Sequence, residues 1–139
     1  MNAMEMSKDG YLLLFHTNEW WKNLGREELE KYDAQSNEWI ERLMAAGKIK
    51  AGQGLARRGA MISGKNGRNV MDGPFIESKE VVGGYLLLNV EMFEEAMAIA
   101  KTAPNLAWGS KVEVRPLTNV CPAKERLEEL KREEEVAVA

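Results

Sequence analysis

At 139 residues, with 45% hydrophobic content and a net charge of -3, the chain is sized for one domain around one core and has no cationic excess to neutralise a run of phosphates. That balance excludes nucleic acid as an expected partner. The apolar runs fall far short of a bilayer span, and residues 1–10 carry neither a basic n-region nor an apolar h-region, so no membrane partner is expected and the predicted location is cytoplasmic. The single cysteine, Cys121, has no partner for an internal disulfide and suits a reducing compartment.

Tyr11 to Thr17 is a short apolar run bounded by Gly10 and a polar segment, which predicts a buried first strand. From Arg26 to Ala46, Leu29, Tyr32, Trp39, Ile40, Leu43 and Met44 recur at three- and four-residue spacing. Glu27 and Glu28 stand in the first turn and Gly47 follows the last, so this is a helix with a glycine stop. Ile49 to Ser63 reads as a glycine-rich strand with a break at Arg57 to Gly59. Gly64-Lys65-Asn66-Gly67 supplies a hairpin turn, and a short returning strand ends near Asp72.

The stretch from Asp72 to Glu80 reads as an ordered loop, and Val81 to Val90 as a strand with a bulge or close approach at Gly83 and Gly84. Glu91 to Ala103 predicts a second helix stopped by Pro104, and Lys111 to Leu117 a last strand ended by Pro116. Beyond Pro122, AKERLEELKREEE has only Leu127 and Leu130 as large apolar side chains, which predicts a solvated or loosely docked helix over 122–135. The order is β-α-β-β-α-β, in which both helices cover one face of an antiparallel sheet. Leu12 and Leu14 then fall opposite Tyr11, Leu13 and Phe15, so the second face is oily as well. The expected cover is a second copy of the chain, the alternatives being a covering tail or strand hydrophobicity without consequence.

MDGPFIESKEVVGGYLLLNV, followed after one helix by GSKVEVRPL, resembles the signature of the YCII-related family in its DGPF-domain branch, and the likeness runs from Tyr11 to Leu117. It implies a dimeric α-β barrel built on a ferredoxin-like protomer. Some YCII-like proteins have been proposed to use a His and Asp pair for acid-base chemistry, with the His on the first helix, and a relative dehydrochlorinates a hydroxylated aromatic. Several DGPF proteins are associated with extracytoplasmic-function sigma factors. Counting back from MAAGK, the position corresponding to that His is Ser36, and serine cannot replace imidazole as a base at neutral pH. The motif's aspartate is present as Asp72.

Asp72-Gly73-Pro74-Phe75 also has a structural reading, in which Asp caps a turn, Gly supplies unusual φ and Phe anchors the loop. In the functional reading Asp72 is a general base at a barrel mouth with Glu77 as a second carboxylate. His16 ends the first strand on the side of Leu12 and Leu14, either half exposed or poised to hydrogen-bond a ligand. Tyr32, Trp39 and Tyr85 are core residues or an aromatic wall, and Trp20 and Trp21 core residues or an entrance. Glu113 and Arg115 share a face of the last strand, as a cavity patch or an edge ion pair. Gly52-Gln53-Gly54 lacks the ending of a phosphate loop, and no ligand cluster suits a metal, so neither cofactor nor metal is expected.

The expectation is therefore an α+β, ferredoxin-like βαββαβ protomer, one domain over 1–139 with its core at 11–117, pairing into a dimeric α-β barrel. The barrel pocket would take a small polar or aromatic metabolite, with lyase- or isomerase-like chemistry through Asp72 as catalytic residue. Ligand contacts are expected from His16, Ser36, Phe75, Glu77, Tyr85 and Arg115. The alternative is a non-catalytic regulatory or ligand-binding module.

Overall fold

The computed structural model describes residues 4–74 and 81–138. Strands β1 (Tyr11–Thr17), β2 (Ile49–Gly54), β5 (Val81–Leu88) and β6 (Lys111–Pro116) form one sheet in the order β2-β5-β1-β6, and every neighbouring pair is antiparallel. Helix α1 (Arg26–Ala45) connects β1 to β2, and α2 (Phe93–Ala100) connects β5 to β6. With the first strand central and each helix crossing back over the sheet, the protein has the ferredoxin-like α+β fold.

The core follows from strand alternation. Tyr11 pairs with Leu88 and Leu13 with Leu86, and Tyr11, Leu13 and Leu88 are fully buried beneath the helices. Each such large side chain contributes about 1.5–3 kcal/mol by leaving water. Ala96 and Ala100 are small enough to bring α2 down onto this layer, while α1 contributes Trp39, whose indole N–H donates to Thr102 Oγ1 at 2.7 Å. That bond ties the middle of α1 to the end of α2, and Phe15 meets the Trp39 ring edge-on at 6.2 Å. Gly47, with φ 70°, closes α1 in the left-handed conformation that its lack of a Cβ permits.

The structure departs from the sequence expectation at three places between Ile49 and Pro74. The glycine-rich strand predicted over Ile49 to Ser63 divides at Leu55–Arg57, earlier than the expected break, into β2 and β3 (Arg58–Ser63). β3 pairs only with β4 (Asn69–Pro74), so the hairpin is a separate two-stranded arm, not an extra strand of the main sheet. The strand predicted to end near Asp72 continues to Pro74, and the rest of the predicted loop lies outside the described residues. The bulge expected at Gly83 and Gly84 is present: Phe15 pairs with Gly84 and His16 with Val82, skipping Gly83.

The second helix is shorter than predicted, and Pro104 opens a 3-10 turn, Pro104–Trp108. The N-terminal segment, read as merely polar, is fastened down. Ser7 Oγ donates to Leu117 O at 2.7 Å, Tyr11 OH to Met4 O at 2.8 Å, and Ser7 N to Glu91 O at 2.8 Å. Helix α3 (Pro122–Val138) buries none of its residues, as its thin apolar stripe predicts. Among the described residues, no helix is long and apolar enough to cross a membrane.

Candidate functional site

Between the end of β1 and the start of α1 the chain makes a 3-10 turn, Trp20–Asn23, and this turn walls a cavity of about 670 Å³. The volume is in the range that takes a small organic ligand. Trp20 organises the wall: its ring meets Tyr32 of α1 at 4.6 Å and Trp21 at 5.7 Å, both edge-on, and stacks on Trp108 at 6.1 Å and 12°. The Trp20–Trp108 stack joins the two 3-10 turns across the end of the sheet. At the back, Asn105 and Ser110 are buried polar residues with their own bonds: Asn105 Nδ2 donates to Ser110 Oγ at 3.0 Å, and Ser110 Oγ donates to the His16 carbonyl. They fix the end of β1 to the start of β6 while presenting a polar floor.

Glu19 stands beside the aromatic wall in the left-handed region, at φ 63° and ψ 37°, a conformation that costs a non-glycine residue about 1–2 kcal/mol. Its carboxylate receives Lys22 at 2.5 Å and also the Arg57 guanidinium, reaching across from the connection between β2 and β3. The hydrogen bond from Lys22, and behind it the Arg57 charge, hold the Glu19 carboxyl below its usual 4.5. A group lowered in this way contributes stability fully above its ordinary value, and the contribution disappears as pH falls through the lowered value. The fluorescence of the adjoining Trp20 and Trp21 should thus stay constant from neutral pH down to about 4.5 and change only in more acid solution. A transition centred near neutrality in a Glu19-dependent signal would contradict this assignment.

A second cavity, of about 500 Å³, lies along α1 and shares Phe15, Tyr32 and Asn105 with the first, so the two adjoin in the cleft between helix and sheet. Ser36, Trp39 and Ile40 of α1 line it against β2 and β5. Among the described residues no group of three or more His, Cys, Asp or Glu is gathered as a metal site.

The family model of the YCII-related domain matches residues 10–119, which covers the whole sheet, α1, α2 and both cavities. The chain belongs to the YCII-related family. A comparison with curated proteins finds no match. Helix α3 lies beyond the matched YCII-related region.

Within this YCII-related fold the residues singled out in the sequence separate into three places. Ser36 lines the cleft, together with Trp20, Trp21 and Tyr32. Tyr85 belongs to the strand flooring the second cavity, but its pairing with Leu14 turns its side chain to the opposite, open face of the sheet. His16 and Arg115 are on that open face too, joined through Glu113: His16 Nε2 lies 2.7 Å from Glu113 Oε1, and Arg115 Nε 3.6 Å from Glu113 Oε2. Asp72 is exposed on β4 opposite Ala60 and lines neither cavity. Phe75 and Glu77 lie outside the described residues.

The sheet therefore stands between Ser36 and the His16–Glu113–Arg115 group. Glu19, Arg57, Asn105 and Ser110 are the cleft residues that the sequence reading missed. Glu19 and Lys22 carry a readable signal, an acid three residues before a base on a short turn, whereas Arg57 is 38 residues from Glu19.

Proposed function

We propose that this YCII-related protein is a homodimeric small-molecule-binding protein whose ligand, a flat aromatic body with one negatively charged group, lies in the cleft between α1 and the sheet. The observation that carries the reading is the wall of Trp20, Trp21 and Tyr32 beside two cations, Lys22 and Arg57, that share a single carboxylate. Aromatic faces stack a planar ligand, and a guanidinium only partly neutralised by Glu19 pairs with an anionic substituent. Binding without turnover is favoured because Glu19, the carboxylate lining the cleft, is held ionised by its cations and makes a poor proton acceptor near neutral pH. Acid-base chemistry through Asp72 would require a second copy to bring that side chain to the cleft, since in its own chain it lines neither cavity.

The dimer reading rests on the open face of the sheet. Leu12, Leu14, Tyr85 and Leu87 form a contiguous apolar layer there and remain half-buried, whereas Tyr11, Leu13 and Leu88 on the helix side are fully buried. A two-fold partner offering the same face covers it at both copies, as in the α-β barrel expected from the sequence. The ion-pair group of His16, Glu113 and Arg115 would then border that layer inside the assembly.

Titrating tryptophan fluorescence with a panel of aromatic carboxylates, and with the matching neutral amides, tests the ligand class. Carboxylates should bind more tightly than their amides. Trp20→Ala should weaken carboxylate binding by about tenfold or more, the loss of one stacked aromatic contact and its apolar cover. Arg57→Ala should abolish the preference for the charged form. Equal binding of acids and amides to the wild type, or an unchanged response in Trp20→Ala read by calorimetry, would remove this reading.

A further inference from the structure

We propose that the β3–β4 arm is an interaction surface for a second copy of this chain, packing against the partner subunit and not against its own domain. This rests on the homodimer reading and adds to it a contact that the sheet face alone does not provide.

The arm has a complete register, from Arg58 opposite Pro74 to Ser63 opposite Asn69, and a turn fixed by Gly64, Asn66 and Gly67, all with positive φ. Yet every residue of β3 is exposed. Alternation puts Ile62 and Val70 on one side of the ribbon and Met61 and Met71 on the other, and these four side chains are 56–65% exposed. A two-stranded ribbon is marginal in water by itself, and one with large apolar side chains on both sides needs cover.

Charge selects the occupant. The arm carries Arg58, Lys65 and Arg68 against one carboxylate, Asp72, in a chain whose net charge is -3. The rest of the molecule is thus the acidic part, and α1 alone sets six carboxylates against three cations. A second copy presents the acidic surface that the arm's cations need, and the contact covers Met61, Ile62, Val70 and Met71 as well.

The test compares three proteins by analytical ultracentrifugation over a dilution series: wild type, the pair Met61→Ser with Met71→Ser, and the pair Ile62→Ser with Val70→Ser. Loss of either apolar pair should raise the dimer dissociation constant by about tenfold or more. In parallel, a photo-crosslinker at position 61 or 71 in an equal mixture of ¹⁴N- and ¹⁵N-labelled, otherwise wild-type chains should give mixed-isotope cross-links. That second readout stands even if a serine pair loosens the ribbon. A wild-type dimer whose dissociation constant is unmoved by both pairs, with cross-links confined to single chains, overturns the arm contact and leaves the sheet-face dimer standing. A monomeric wild type overturns both. Cross-links absent from the pure protein and formed only with another added protein would assign the arm elsewhere and overturn the proposal.

Discussion

A chain carrying Leu14→Glu is expected to sediment as a single folded subunit at concentrations where the proposed wild-type dimer forms. Leu14 lies on the open face of the sheet's central strand, between Tyr85 on β5 and Glu113 on β6. In the isolated subunit a carboxylate there points to water and leaves the helix-covered core untouched. In the proposed dimer it would be taken out of water beside the Glu113 carboxylate, and two-fold symmetry doubles the event. An uncompensated buried ion costs on the order of several kcal/mol, so pairing should weaken by roughly a hundredfold or more. Circular dichroism and the urea midpoint of the monomer separate this outcome from simple unfolding. A variant that still forms dimers of wild-type strength would mean that the open face lies outside the interface.

One residue earlier on the same strand the expected result is the opposite. Leu13→Ala should destabilise the fold by about 2–5 kcal/mol and leave the assembly surface as it was, because Leu13 is fully buried against Leu86 and Val114. Removing its side-chain atoms leaves a cavity beneath both helices, at the layer where Ala96 and Ala100 already bring α2 close to the sheet. Urea unfolding at fixed protein concentration measures this, the concentration being held because the proposed pairing would itself stabilise the folded state. A loss below about 1 kcal/mol would place Leu13 outside the well-packed core. Taken together, the two variants separate the faces of one strand: the first changes how many chains associate, the second how firmly each is folded.

The fold was legible wherever its cause is local. The β1 strand falls at Tyr11–Thr17 as its apolar run predicts, α1 stops before Gly47, and the Gly83 bulge announces itself as a glycine pair inside an apolar strand. Alternation placed His16 on the side of Leu12 and Leu14 and put Glu113 with Arg115, but that the three share one face, joined by ion pairs, follows from the pairing of β1 with β6. The arm was only half legible. Gly64-Lys65-Asn66-Gly67 marks its turn, but whether β3 continues the main sheet or leaves it depends on the connection Leu55–Arg57, which has no strong breaker of its own.

The candidate cleft divides in the same way. Trp20 and Trp21 read from the sequence as core residues or an entrance, and the structure puts them in the cleft wall; Ser36 lines the cleft at the helix position where a resemblance pointed. Glu19 with Arg57, and Asn105 with Ser110 and the His16 carbonyl, arise from chain reversals that join distant segments. A single sequence carries no signal for such partners. The Trp20–Trp108 stack is of that kind too, and it couples two turns whose 3-10 geometry no periodicity announces.

The paired assembly is the premise on which both the open face and the arm depend, and the solution mass of the untagged wild-type chain tests it most directly. Light scattering on the eluting peak at micromolar concentration should give twice the 15.6 kDa subunit mass. A persistent mass of 15.6 kDa at that concentration, with the protein folded, would contradict the account.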